Sequence, residues 1–241
     1  MADILVVGDS CRDIFVYCTA DRLAPDVPVP VLSVLHQTEN AGMAANVQRN
    51  ILKYKSCDLL TNTNWHEITK TRYVHDATNH MFVRVDNSCK VPRINLNDLV
   101  LDYKLVIISD YNKGFLTETD ILHICKQHPL VFLDTKKLLG EWAEPAVFIK
   151  INDTEYKNSA AYMTSSMKDK IIHTMGDRGC EYLGKRYPVK KVDVRDISGA
   201  GDSFMAALCV KYLDTKDIVQ SIEFANLCAS EVVKHRGVTT I

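Results

Sequence analysis

The chain has 241 residues, 46% hydrophobic and 24% charged, with 29 basic against 30 acidic side chains and a formal net charge of -1. These proportions suit one large folded domain with its own core. They offer no broad basic surface for nucleic acid, and no apolar run approaches the length that spans a bilayer.

Ile4 to Val7 is a short apolar run stopped by Gly8-Asp9, and it predicts a buried first strand of an α/β domain. Residues 14–36 change character, with Val and Pro alternating from Ala24 to Val31. Proline cannot donate to a ladder, so this stretch predicts an edge strand, an extended flap or a surface loop. Residues 43–54 read as a helix. A second extended region covers 69–86, where Asp76-Ala77-Thr78-Asn79 separates two strand-like runs as a hairpin would. Strands are predicted at 105–108, 130–133, 147–151 and 170–175. Helices are predicted at 117–127, 153–163, about 200–213 and about 216–235, with Gly237 suited to the left-handed stop. Strands alternating with helices imply parallel βαβ units. The fold class is therefore α/β, a central and mainly parallel sheet flanked by helices. The segments 14–36 and 69–86 form a small β-lid within a single domain spanning 1–241.

The eight cysteines stand singly, none in Cys-x-x-Cys spacing, which predicts reduced thiols in a cytoplasm and no clustered zinc ligands. Met1-Ala2-Asp3 has no basic n-region and reads as no signal peptide.

The most informative string is Asp196-Ile197-Ser198-Gly199-Ala200-Gly201-Asp202, which opens into the apolar run Phe204 to Leu208. Small residues let a ligand approach the backbone, and the first turn of a helix offers unpaired N–H groups with a positive dipole end. An Asp beside such an anion site repels the anion, unless it accepts a proton from a nucleophile aimed at it. That is the logic of phosphoryl transfer. The plainer reading is a helix start with an acid favoured by the dipole.

The string resembles the C-terminal signature of the ribokinase (PfkB-type) carbohydrate kinases, and Ala41-Gly42-Met43-Ala44-Ala45-Asn46 is similar to the first signature of that family. Val6 to Asp9 with Asp13, the Val-Pro stretch, Ser109 to Gly114 and Phe224-Ala225-Asn226 further resemble the kinase domain of bacterial heptose-phosphate kinases. The resemblance implies that Asp202 is the catalytic base and that Gly199, Ala200 and Gly201 line the anion hole. It assigns Asp13, Gly42 and Asn46 to sugar hydroxyls, and Arg84 and Lys113 to a phosphate already on the sugar. Asn152 and Glu155 match an Asn-x-x-Glu element that organises Mg2+ and phosphates, Glu155 acting through water. As plain chemistry they are also a helix cap and its capping box. Thr174, Gly176 and Gly179 fit a turn near the nucleotide, or simply a tight hairpin. Lys136 would contact phosphate and Asn226 would lie near adenine.

The implied cofactors are ATP and Mg2+. The implied partners are a sugar or sugar phosphate and a second copy of the chain paired through the lid, with no nucleic acid or membrane. Gly179 to Lys185 has P-loop spacing but lacks the Ser or Thr and the strand-then-helix setting. The chain is short between Lys55 and Glu67, where the family would carry an extra strand and helix, so one sheet edge is expected to be thin. Met43 stands where the signature has glycine, and Ile14 follows Asp13 where heptose kinases would have Arg. These departures keep two alternatives open: a non-catalytic nucleotide- or sugar-binding regulator, and a kinase of a nucleoside or other small alcohol.

Overall fold

The computed structural model describes residues 2–87 and 89–241; Met1, the first residue of the N-terminal stretch read above, lies outside them. The chain opens with β1 (Ile4–Gly8), β2 (Ser10–Leu23) and β3 (Pro30–Met43), then α1 (Ala44–Ile51) and β4 (Cys57–Leu60). A hairpin of β5 (Thr69–His75) and β6 (Met81–Asn87) follows. The remainder is β7 (Leu105–Asp110), α2 (Glu118–Gln127), β8 (Val131–Thr135), β9 (Phe148–Asn152), α3 (Asp153–Ser159), α4 (Ser165–Lys168), β10 (Ile171–Thr174), β11 (Cys180–Tyr182), β12 (Lys185–Tyr187), α5 (Ala200–Thr215) and α6 (Ile218–Val232).

The large sheet has the order β12-β11-β10-β9-β8-β7-β1-β4. Its strands from β4 to β10 run parallel, and β11 and β12 turn back antiparallel. All five residues of β1 are buried, as a continuous apolar run covered on both faces requires. Alternation along the strands splits the core in two. Leu5, Val7, Val106, Ile108 and Leu133 pack with Ile121 and Ile124 of α2 on one face. Ile4, Val6, Ile107 and Phe132 pack with α1, α5 and α6 through Val47, Leu208 and Ile222 on the other.

The segments 14–36 and 69–86 meet in a second sheet of order β3-β2-β5-β6. β2 pairs antiparallel with β3 and parallel with β5, which brings the two sequence-distant patches side by side. Pro30 opens β3, an edge strand where a missing donor is tolerated. Val83 and Val85 of the opposite edge strand β6 are exposed. This sheet docks on the segment after α6 through Phe15, Tyr17 and Val74, which pack with Val238. Arg236 donates to the carbonyls of Asp76 and Ala77, at 2.6 and 2.9 Å, in the β5–β6 turn.

Several sequence expectations need adjusting. The predicted helix 43–54 is helical only over 44–51, and the predicted helix 153–163 ends at Ser159 before the separate short α4. At the edge expected to be thin, Cys57–Leu60 pairs with Ile4–Val7 and ends the sheet, and among the described residues no α-helix lies between it and β5. The rejected P-loop span is a β11–β12 hairpin. All eight cysteines are free thiols. No helix among the described residues is long and apolar enough to cross a membrane.

Candidate active site

The parallel strands β1, β7, β8, β9 and β10 all point their carboxyl ends at one side of the sheet, where open α/β sheets take their ligands. A cleft of about 890 Å3 opens there, lined by Tyr111, Lys136, Lys150, Asn152, Thr174, Gly176, Gly179, Asn226 and the run Gly199 to Asp202. α5 begins in this cleft. Gly199, at φ 79°, takes the left-handed turn that precedes it. A Cβ at that position would lie 2.9 Å from Asn46 Nδ2 and 3.1 Å from Val238 Cγ1, so both the backbone conformation and the space demand glycine. The N–H of Ala200 is bound to Ile197 O at 3.2 Å, which leaves those of Gly201 and Asp202 without a partner among the described residues. Two free donors at a positive helix end form an anion cradle.

Asp202 sits on this first turn, 6% exposed. One carboxylate oxygen accepts Asn46 Nδ2 at 2.9 Å and the other accepts the Tyr111 hydroxyl at 2.5 Å. Burial pushes its pKa above the ordinary 3.8, opposed by these two donors and by Lys150, while the nearby Asp134 adds to the rise. Asn46 is held in turn: its carbonyl accepts Asn50 Nδ2 at 2.8 Å, and Asn50 Oδ1 accepts Ser203 Oγ of α5 at 3.2 Å. The first signature and the last thus meet across 156 residues of chain.

On the far side of Asp202, Lys150 and Asp134 form a buried ion pair at 2.6 Å, each side chain 4% exposed. Lys136 is paired with Glu155. Asn152 caps α3 by accepting the N–H groups of Thr154 and Glu155, and Glu155 returns the bond to Asn152 N at 2.8 Å. The capping box is therefore real, and it sits at the cleft. Thr174 ends β10. Gly176 and Gly179 have φ of 60° and 82°, and a Cβ on Gly179 would fall 2.1 Å from Tyr187 O. Asn226 lines the cleft from α6, with its amide donating to Tyr187 O at 2.9 Å.

The residues expected on the sugar side lie on the small sheet and at its junction. Asp13 is buried and ion-paired with Arg72. Gly42 faces it, with no room for a Cβ against Cys11 Sγ at 2.8 Å. Arg84 forms a forked pair with Asp86 at 2.6 and 2.7 Å on the exposed β6, and Lys113 is exposed in the loop after β7. Neither contacts Asp202, but both face Lys70, whose pKa burial lowers and whose ammonium they further disfavour. Sequence reasoning assigned no role to Tyr111, Lys150, Asp134 or Lys70. Tyr111 was within its reach, because Ser109 to Gly114 had already stood out.

The pfkB family carbohydrate kinase profile matches residues 102–241. The bifunctional protein HldE of Helicobacter pylori strain J99 is 30% identical over 296 positions, covering 98% of this chain and 64% of the relative. That of Nitratiruptor sp. is 26% identical, at 98% and 62% coverage. The chain thus spans less than two thirds of the length of these curated relatives. Its 241 residues align over 296 positions, so the relatives carry segments it lacks. The fold is shared with ribokinase from Thermotoga maritima, at a TM-score of 0.73 and 17% identity over 99% of this chain and 95% of that one. A nucleoside kinase from Methanocaldococcus jannaschii gives 0.73 and 18% over 98% and 93%. With a family profile covering more than half its length and this fold around the site, the chain belongs to the pfkB family of carbohydrate kinases.

Proposed function

We propose that the protein transfers a phosphoryl group from Mg-ATP to a hydroxyl of a sugar or sugar phosphate, with Asp202 as the base. The observation that carries this reading is the buried Asp202, on a helix turn whose next free N–H groups face the same cleft. A carboxylate in that place serves an incoming hydroxyl. Bound ATP would supply the phosphoryl group.

Asp202 accepts the proton of the attacking hydroxyl, and the first-turn N–H groups stabilise the charge that develops on the transferred group. Lys136 and Lys150 add positive charge on the nucleotide side. The residues present fit the donor. The cleft is large enough for a nucleotide, and its turns at Gly179 and Gly199 admit close approach. Glu155 and Asn152 fit Mg2+ only through water, because Glu155 is spent on Lys136 and Asn152, and no group of three or more acidic, His or Cys side chains is found among the described residues.

Asp13, Gly42 and Asn46 would bind acceptor hydroxyls; Arg84, Lys113 and Lys70 favour an acceptor that carries a phosphate of its own, heptose 7-phosphate being the first choice. Small-sheet closure would exclude water from the reaction. The exposed apolar face of β6 suits pairing with a second copy, and the free cysteines suit a cytoplasm. The test is ATP consumption with Mg2+ over a panel of sugars, sugar phosphates and nucleosides, with Asp202→Asn as control. Turnover on one member, falling about 10²- to 10⁴-fold in the variant, is expected. Full turnover in Asp202→Asn would remove the base.

A further inference from the structure

The reading of Asp202 as a base leaves open what keeps a carboxylate ionised in so dry a place. The Tyr111 hydroxyl is 2.5 Å from Asp202 Oδ1. The ring that carries it is bracketed by two cations, Lys70 Nζ at 4.8 Å and Lys136 Nζ at 5.4 Å from its centroid. Its main chain is fixed from below. Buried Asp9 accepts the N–H of Tyr111 at 2.8 Å and that of Phe115 at 3.2 Å. Lys137 ties Asp110 to Asn112 at 3.1 and 2.8 Å. Asn112, at φ 55°, makes the left-handed step that sends the loop back. A turn this well supported sets the phenol on the carboxylate before any substrate arrives, which is how a supporting residue pre-organises a site.

We infer that Tyr111 is the positioning residue of the base: its hydroxyl fixes the Asp202 carboxylate plane together with Asn46 and holds it in the ionised form that can accept a proton. This rests on the proposed role of Asp202. The other ionisable groups around Asp202 divide in sign. Asp134 from β8 disfavours its charge, while Lys150 from β9, Lys136 after β8 and Lys70 from β5 favour it; the buried Cys11 thiol from β2, raised above its ordinary 9.0, is neutral beside it. Tyr111 stays neutral across the working range, since burial and the two carboxylates drive its pKa well above 10. It therefore acts as a donor throughout.

The experiment is a carboxyl titration by 13C NMR with labelled aspartate, the Asp202 signal being identified by its loss in Asp202→Asn. Tyr111→Phe keeps the ring and deletes only the donor. The Asp202 midpoint should rise by about one pH unit, the scale of one lost hydrogen bond to the charged form. The acid limb of kcat/KM should move with it, with recovery toward wild-type rates at higher pH. An unchanged midpoint would overturn the inference, and thermal melting of the variant separates that result from misfolding. Replacing Tyr111 by a ring-fluorinated tyrosine, whose more acidic hydroxyl is a stronger donor in the same place, gives a second reading of the same signal if Tyr111→Phe folds poorly: the Asp202 midpoint should fall, and an unchanged midpoint would overturn the inference. The two readings separate cleanly. If Asp202→Asn retains full turnover, the base assignment fails whatever the titration gives; if only the Tyr111→Phe midpoint stays put, Asp202 stands and Tyr111 is a wall of the cleft.

Discussion

Met43 offers a sharp test of the backbone around the site. It joins β3 to α1 at φ 61° and ψ -130°, a conformation that suits glycine, yet its side chain is 3% exposed and packed in the core with Leu5, Val7, Cys11 and Ile68. Positive φ in a non-glycine residue stores roughly 1–3 kcal/mol, and this region of the map lies toward the upper end. Met43→Ala removes the buried thioether, at roughly 2–5 kcal/mol, and keeps the strain. Met43→Gly loses one more methyl, about 0.8 kcal/mol, and roughly 0.5–1 kcal/mol of backbone entropy, but releases the strain. Glycine should therefore be more stable than alanine by about 1 kcal/mol, reversing the usual order. At this chain length that is about 2–4 °C in Tm. Urea and thermal denaturation of the two variants decide it, and an alanine variant as stable as the glycine one would refute the claim of strain.

Other expectations follow from the buried charges. Asp202 has a folded-state pKa raised above 3.8, so the folded state binds its proton more tightly than the unfolded one, and ionising it opposes folding as pH rises from about that value. Asp202→Asn should thus melt above wild type at neutral pH, with the gap closing toward pH 4 in a Tm series. Lys150→Met leaves Asp134 buried without its partner and should cost roughly 3–5 kcal/mol, whereas Asp134→Asn combined with Lys150→Met should cost clearly less than the two single changes added, as a double-mutant cycle in urea would read. Glu155→Gln releases Lys136 and should tighten ADP binding in the absence of Mg2+ by about tenfold, roughly 1.4 kcal/mol, measured by calorimetry. Equal affinity in the two proteins would show that Glu155 does not restrain Lys136.

What the sequence disclosed depended on whether a feature was local. The β1 strand, the Gly199 to Asp202 turn and the Asn152–Glu155 box each lie within a few residues and carry their own chemistry. β4 did not announce itself: four residues with one acid have no periodicity, and only the backbone of β1 beside them makes them a strand. Tyr111 stood within a string that had drawn notice, but its bond to Asp202 of α5, like that of Lys150 to Asp134 of β8, is legible only in the assembled fold, because the partners are 91 and 16 residues away. The resemblance assigned Asp13 to sugar hydroxyls. Its bond to Arg72 needed the parallel pairing of β2 with β5, which no short-range pattern encodes.

The same pairings explain why the cleft is a poor site for a bare anion. Four lysines line it, at 136, 150, 190 and 191, but so do Asp153, Asp177 and Asp202. Two of the four are already matched by Glu155 and Asp134. With five carboxylates against four ammonium groups and the Arg178 guanidinium that pairs with Asp153, a nucleotide arriving alone meets no surplus of positive charge, and Coulomb repulsion from Asp202 grows as its phosphates near the first turn of α5. In the proposed reaction the missing positive charge would come with the donor, the role a divalent cation fills in phosphoryl transfer. The pairing also has a use. Lysines held by carboxylates keep fixed positions, and the N–H groups of Gly201 and Asp202 are left as the unshared donors on the first turn of α5.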